Sequence, residues 1–460
     1  MRRFAWLLLA GAPSPLAAQG FGVYEHGTCT MGRAGVAAAA PCADGSAIFF
    51  NPAGLAGLSG THLSLGTTFI QALGNFTTDV TNDRTDLDNP LIPVPNFYFS
   101  AALGAKATVG LGVYAPYGLE TKWPTDFDGR FLGYNTALRS IYVQPTIGYQ
   151  LHERIKIGVG VAYIYSDLEL HQRVDLSQQP LGALGGLLTP PIPAATPFAA
   201  LGVPTGTDFA DGTLEATGSG FAVNFGAIVK ITDQLSIGGH WLTRKTIAYD
   251  GDAVFDTVST GLVIPIALGP IPAGTPVDAI VQGQFAPNAP LADGAVSTEL
   301  TLPPQGSLGL AYSPLDDWTF MADWHFVMWG WFNSLPVDFH RFANDTAADF
   351  TLYQGYRDTH GFRLGVEHKP SEKSTFRAGY LYHEGAAPDE TVTPLLPEGA
   401  RNEFTVGFGA QVTPKLQLDL GYQFIKQNDR RGRIHEATVG NSGLYQFSAH
   451  LVGVGLSYTF

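Results

Sequence analysis

The sequence predicts an all-β fold, a transmembrane antiparallel β-barrel of about fourteen strands, and three observations predict it. Apolar and polar residues alternate with a period of two in segment after segment. The connections between these segments are long and short by turns. The chain opens on an export signal, yet beyond it no apolar run is long enough to cross a membrane as a helix. A barrel escapes hydropathy scans because only every second residue of a strand faces lipid.

The elements follow in chain order. In MRRFAWLLLAGAPSPLAAQG, Arg2 and Arg3 precede a short apolar run, and Leu16-Ala17-Ala18 ends in the small residues that signal peptidase accepts. Residues 1–18 therefore read as a signal peptide, since the run falls well short of the ~20 residues of a membrane-spanning helix. The chain has 26 basic and 40 acidic residues, a net charge of −14 that becomes −16 without Arg2 and Arg3. Such a balance argues against nucleic acid as a partner. With 12% aromatic and only 14% charged residues, the chain is too apolar for acidic disorder. Export permits a disulfide between Cys29 and Cys42. Two buried free thiols are the other reading, and the residues leave both open.

Residues 48–55, IFFNPAGL, alternate poorly and break at Pro52, which lacks an N–H and suits a turn better than a central strand. From there the period of two takes over, in windows 61–71, 94–103, 106–114, 136–150, 154–170, 213–229, 234–248, 296–312, 318–328, 358–368, 374–383, 401–412, 415–426 and 444–460. In KLQLDLGYQFI, for example, Leu416, Leu418, Leu420, Tyr422 and Phe424 oppose Lys415, Gln417, Asp419, Gly421 and Gln423. Odd-to-even joins are long and even-to-odd joins are tight turns such as Gly104-Ala105 and Thr413-Pro414. One rim of turns and one of loops is the pattern of an outer-membrane barrel, with turns in the periplasm and loops outside the cell. The last strand carries Val452, Val454, Leu456, Tyr458 and Phe460 on one face and would close the sheet against the first, which removes both edges.

Several segments resemble the FadL-type family of outer-membrane transporters for fatty acids and other hydrophobic compounds: IFFNPAGL at 48–55, GVYAPYGLETKWPTDFDGRF at 112–131, SIYVQPTIGYQLHERIKIGVGV at 140–161, GSGFAVNFGAIVKITDQLSIGG at 218–239 and LPPQGSLGLAYSPLDDWTFMAD at 302–323. The resemblance implies a lumen plugged by an N-terminal hatch at residues 19–57, gated around Asn51, Pro52 and Ala53, with residues 58–460 as the barrel. It also implies a lateral opening in the third strand, which we place at Gly110, Gly112 and Pro116, where glycine and proline interrupt regular pairing. The Gly and Ala residues at interior positions leave room for a plug.

The loops after the fifth and seventh strands, 181–204 and 261–280, are rich in Leu, Ile, Ala and Pro and nearly free of charge. An exposed apolar patch marks a binding surface, so Leu187, Leu188, Ile264 and Ile266 are candidates for capturing a hydrophobic ligand. Arg130 could meet a ligand carboxylate or pair with Asp126 and Asp128. Arg244 and Lys245 could do the former or line a rim that faces solvent or lipopolysaccharide. The expected function is passive uptake of hydrophobic compounds, foremost long-chain fatty acids; aromatic or aliphatic hydrocarbons and a general polar-solute porin are the alternatives. No Gly-x-Ser-x-Gly, His-Glu-x-x-His or zinc-type cluster occurs. His325, His340, His360, His368 and His383 are scattered, and Trp324, Trp329 and Trp331 read as an aromatic girdle. The expectation is thus a monomeric channel without enzyme activity, cofactor or metal, in the outer membrane of a Gram-negative bacterium with both termini periplasmic. Its partners are the ligand, outer-membrane lipid and lipopolysaccharide, and the outer-membrane assembly machinery.

Overall fold

The computed structural model describes residues 20–181, 191, 193–265, 267, 269–287, 289–340, 350–432 and 442–460. Fourteen strands form one closed antiparallel wall. They are β1 (Thr61–Thr78), β2 (Ile92–Ala102), β3 (Ala107–Lys122), β4 (Asn135–His152), β5 (Ile155–Val174), β6 (Ala210–Lys230), β7 (Leu235–Leu242 and Lys245–Thr257), β8 (Gly294–Leu302 and Gln305–Leu315), β9 (Trp318–Val327), β10 (Thr359–Ser371), β11 (Ser374–His383), β12 (Arg401–Thr413), β13 (Leu416–Gln427) and β14 (Gly443–Thr459). β14 pairs with β1 from His62–Thr459 to Thr78–Gly443, so no strand edge is left to lipid. The period of two sets the faces: Phe404 on β12 is 54% exposed on the outer wall, whereas its neighbour Glu403 is 2% exposed in the lumen.

Two of the sequence windows are broken. β7 is interrupted after Leu242 and β8 at Pro303-Pro304, because consecutive prolines offer the ladder no N–H. The β7–β8 register carries across the break, from Leu235–Leu242 against Gln305–Leu315 to Lys245–Thr257 against Gly294–Leu302, and both pieces of β7 also pair with β6. Several strands also outrun their windows on the loop side. β1 continues to Thr78 and β3 to Lys122, so part of the loops expected at 72–93 and 115–135 is strand. Alternation fades there because neither face needs lipid, while the backbone ladder goes on.

Residues 20–58 lie inside the barrel. They form two short helices, Thr28–Met31 and Ala47–Phe50, and a 3-10 turn, Pro52–Leu55. Cys29 and Cys42 are joined by a disulfide with their Cα atoms 6.3 Å apart, which closes the stretch between them into a loop. The wall is thinned to receive this segment: a methyl group on Gly158, Gly226 or Gly238 would collide with Pro52, Asn51 or Ala38 respectively. On the opposite side Gly379 and Gly407 make the same room for Arg33, Ala34 and Gly32. Polar anchoring comes with it. Arg33 sits 3.8 Å from Glu367, which pairs at 2.8 Å with Arg377, which in turn pairs at 2.6 Å with Asp419. Because every charge in this chain is buried and paired, the loss of one partner would strand the next.

The apolar loops do not stay open. Leu176, Leu181, Phe198, Leu201 and Val203 of the loop after β5 pack against Ile264, Val277, Val281 and Leu291 of the loop after β7 as a separate small core. The expectation of a broadly exposed capture surface is corrected to that extent: Ile264 is 1% exposed, because apolar loops in water bury their side chains against each other first.

Candidate functional site

β2 and β3 pair only over Phe97–Val113 to Ala102–Thr108, although β3 continues to pair with β4 as far as Lys122 and β2 with β1 as far as Ile92. The ladder between β2 and β3 therefore opens into a window. Its edges explain it. Pro93 and Pro95 on β2 and Pro116 on β3 lack the N–H a ladder needs, and the β3–β4 register shifts between Tyr114 and Tyr117. Asn89 closes the window on the loop side, donating to the Glu120 carbonyl at 2.8 Å and accepting from the Lys122 N–H at 2.7 Å. Gly110 and Gly112, expected to interrupt the strand, pair regularly on both sides. Their missing side chains instead admit Leu55 and Ile48. The break falls at Ala115-Pro116.

The first described residues run across the inner face of this window. The Val23 N–H donates to the Pro116 carbonyl and the Gly118 N–H to the Phe21 carbonyl, both at 2.9 Å, so this arm takes up backbone groups that the bulge sets free. Phe21 inserts among Tyr117, Trp329 and Phe332. Beside it lies a cavity of about 670 Å³. On the lumenal side it is bounded by Phe21, Tyr117 and Phe447; it passes Ile92, Val94 and Ala115 and reaches Pro93, Val113 and Ile141 on the outer wall. Glu25, Glu398, Glu403 and Arg401 line its polar end. Glu25 and Glu403 both accept from the Gln423 amide. Glu398 is held by the Gly20, Ala386 and Ala387 N–H groups. Carboxylates outnumber cations here.

The rest of the plug is fastened more firmly than the arm. Asp323 accepts from the Ala37 and Ala38 N–H groups at 2.9 and 3.0 Å, and Asn224 donates to the Ile48 and Phe49 carbonyls. Fully buried Asn51 donates to the Ala38 and Ala227 carbonyls and accepts from the Ala53 N–H; Pro52 opens the 3-10 turn at a position where its missing N–H costs nothing. Asn51 thus clips two parts of the plug to each other and to β6. Asn51→Ala should cost roughly 2–4 kcal/mol, since buried carbonyls and an N–H lose their partner. Hydrogen exchange should speed up over residues 38–55 while the strands stay protected; unchanged exchange there would show that the clip is idle.

A family model described as "Outer membrane protein transport protein (OMPP1/FadL/TodX)" matches residues 8–460. The chain belongs to this family. Among curated relatives, outer membrane protein P1 of Haemophilus influenzae strain Rd is 22% identical over 99% of this chain and 98% of its own length. The long-chain fatty acid transport protein of Escherichia coli K12 is 23% identical over 96% and 94%. Among solved structures, a Pseudomonas aeruginosa FadL homologue superposes with a TM-score of 0.78 at 18% identity, covering 96% of this chain and 100% of that one. The Pseudomonas putida toluene transporter TodX gives 0.68 at 17% identity, over 97% and 99%. Membership makes the protein a passive outer-membrane channel for hydrophobic small molecules and not an enzyme. The closed barrel fits an outer-membrane protein with periplasmic termini, in the usual setting of outer-membrane lipid, lipopolysaccharide and assembly machinery.

Within this FadL-type barrel the sequence candidates scatter. Arg130 is engaged by the loop after β5: Nε donates to Asp208 at 2.8 Å, and the other nitrogens donate to the Phe127 and Gly206 carbonyls. It pairs with neither Asp126 nor Asp128, and each of its three nitrogens already donates one hydrogen bond. Arg244 lies outside the barrel, its guanidinium 3.6 Å over the ring of Trp331. Lys245 turns inward, its stem lying over Gly220. Leu187, Leu188 and Ile266 lie outside the described residues, as does the signal segment. The three tryptophans divide: Trp324 and Trp331 are exposed on the wall, but Trp329 is buried under Phe21, so the girdle reading fails for it. His325 and His383 are lumenal, and His325 bonds to the Tyr24 hydroxyl at 2.9 Å. Sequence reading missed Phe21, Tyr117, Arg401 and the Pro93/Pro95 pair. Prolines two apart at the start of a strand window, Pro93 and Pro95, were a signal for the opening.

Proposed function

We propose that this chain is a monomeric channel that takes up uncharged hydrophobic compounds, aromatic or aliphatic hydrocarbons, and releases them sideways into the membrane. The observation that carries the reading is the cavity running from the hatch arm to the outer wall between β2 and β3. A hydrocarbon offers only apolar area, worth ~25 cal/mol per Å² removed from water, and the cavity's middle is apolar. A carboxylate would meet Glu25, Glu398 and Glu403 at its polar end. Among the named relatives both ligand classes occur, toluene and long-chain fatty acid. Ligand would enter from the loop side, displace the arm at residues 20–24 and leave through the window, while the disulfide-closed part of the plug stays in place. Gating at Asn51, Pro52 and Ala53 is then confined to holding that fixed part.

A long-chain fatty acid is the second reading, favoured by Arg401, whose side chain lines the same cavity and has Glu403 at 3.5 Å as its ion-pair partner. Competition on the purified protein in detergent separates the two. Toluene or an alkane should displace a bound fluorescent fatty acid about as well as oleate does, with Arg130→Ala and Arg401→Ala both near wild type. Competition by carboxylated ligands alone, abolished in Arg401→Ala, would replace the first reading by the second. Sugar permeation in liposome swelling without hydrophobic binding would remove both in favour of a porin.

A further inference from the structure

The direction in which each residue of β2 turns its backbone groups follows from the bonds at the strand's turn-side end. The Ala102 N–H donates to the Gly60 carbonyl at 2.9 Å and the Leu103 N–H to the Ala107 carbonyl at 2.7 Å. Opposed residues of an antiparallel pair exchange both backbone bonds or neither, by turns. Counted back from those two bonds, even-numbered residues of β2 bond to β1 and odd-numbered ones to β3, as far as Phe97 opposite Val113. Pro95 and Pro93 are the next two odd positions. Their ring nitrogens therefore face the window, and each withholds a donor from β3. Val94 and Ile92 keep the N–H groups that serve β1.

β3 stands in register with the missing donors. Its pairing with β4 shifts by one residue between Tyr114 and Tyr117, and the Trp123 N–H donates in the new register to the Tyr134 carbonyl at 2.7 Å. Past the bulge it is thus the even-numbered residues that turn toward β2. With the same offset, the β2–β3 register would set Pro93 opposite Gly118, Leu91 opposite Glu120 and Asn89 opposite Lys122. The last meeting is realised: the Lys122 N–H donates to the Asn89 side chain at 2.7 Å, and the Asp88 N–H donates to the Lys122 carbonyl at 2.8 Å. Between there and Phe97 the Gly118 N–H goes to Phe21 of the arm. The arm occupies the place on β3 that β2 leaves.

We propose that Pro93 and Pro95 are positioning residues of the exit route: by withholding two N–H groups in register with β3, they stop β2 from closing on β3 when the arm withdraws. This role rests on the lateral route proposed above. An arm that leaves β3 frees the Pro116 carbonyl and the Gly118 N–H, and in a lipid-facing wall such groups need a protein partner. A β2 strand with N–H groups at 93 and 95 would supply reciprocal bonds and extend the ladder from Phe97 toward Asn89. With proline at both positions only β3 can donate. Proline on a sheet edge hinders the addition of a strand in this way. General strand breakers would disturb the β1 ladder as well; placed on one register, these two silence one edge and spare the other.

The full-length protein carrying Pro93→Ala and Pro95→Ala, compared with wild type, tests this. With toluene present to displace the arm, the Gly118 amide of the variant should exchange its hydrogen about tenfold or more slowly than that of wild type. Uptake of labelled toluene into liposomes should fall about tenfold, while toluene affinity in detergent stays within about threefold, because a shut exit lowers the rate without emptying the cavity. Loss of packing would weaken affinity and rate together, and that pattern overturns the proposal. Unchanged exchange at Gly118 also overturns it and leaves the lateral route standing. Slower exchange with unslowed uptake overturns it together with that route, since ligand would then pass a closed wall. If the double variant lacks heat-modifiable mobility, Pro95→Ala alone, next to the intact ladder, is read in the same way.

Discussion

Deleting residues 20–57 is expected to turn a closed barrel into an open pore, with single-channel conductance in planar bilayers raised by an order of magnitude or more over the intact protein. The wall itself should survive, because its ladder closes through β1 and β14 without help from the plug. What changes is the lumen. Gly158, Gly226, Gly238, Gly379 and Gly407 would face an empty channel, and Asn224, Asp323, Arg363 and Glu367 would exchange plug contacts for water. A wide polar-lined channel conducts ions. Solvated side chains no longer carry the penalty of burial without partners, so the pore should remain folded and show heat-modifiable mobility. Equal conductance of the two proteins would mean that these residues do not block the lumen in the membrane.

The barrel was legible in the sequence because a lipid-facing wall leaves a covalent record: one residue in two must be apolar wherever the strand meets hydrocarbon. Leu416 to Phe424 and Phe404 to Phe408 display it directly. Where that constraint lapses, the reading lapses too, which is why β1 and β3 were drawn too short at their loop ends and why β7 was drawn unbroken past Leu242 and β8 across Pro303-Pro304. The site was harder. Arg130 looked available from sequence, but its partner Asp208 is 78 residues away and only the folded loop brings them together. Asp419, read as a residue on the wet face of its strand, is in the fold an ion-pair partner of Arg377, because the wet face looks onto a plug and not onto water. Apolar loops were read as surface because sequence shows composition and not which segment covers which. The window follows from missing N–H groups at Pro93, Pro95 and Pro116, a signal that becomes readable once the neighbouring strands are known.

Locking the arm to the wall is expected to stop uptake while leaving the barrel intact. Gly22 and Tyr117 face each other in an isolated antiparallel bridge, flanked by the hydrogen bonds from Val23 to Pro116 and from Gly118 to Phe21. Such a position is a non-hydrogen-bonded pair, with Cα atoms ~4.5 Å apart, inside the range a disulfide tolerates. Gly22→Cys with Tyr117→Cys should therefore cross-link under mild oxidation. If ligand leaves through the window by displacing residues 20–24, the oxidised double variant should take up a labelled hydrocarbon about tenfold or more slowly than wild type, equivalent to ~1.4 kcal/mol on the barrier. Reduction should restore it. Tyr117→Cys alone controls for the lost hydroxyl, which donates to the Pro303 carbonyl at 2.7 Å, and reductant-treated wild type controls for opening of the Cys29–Cys42 bridge. Uptake that is equally fast with the arm tethered would show that the ligand does not pass it, and the lateral route between β2 and β3 would have to be given up for one along the lumen.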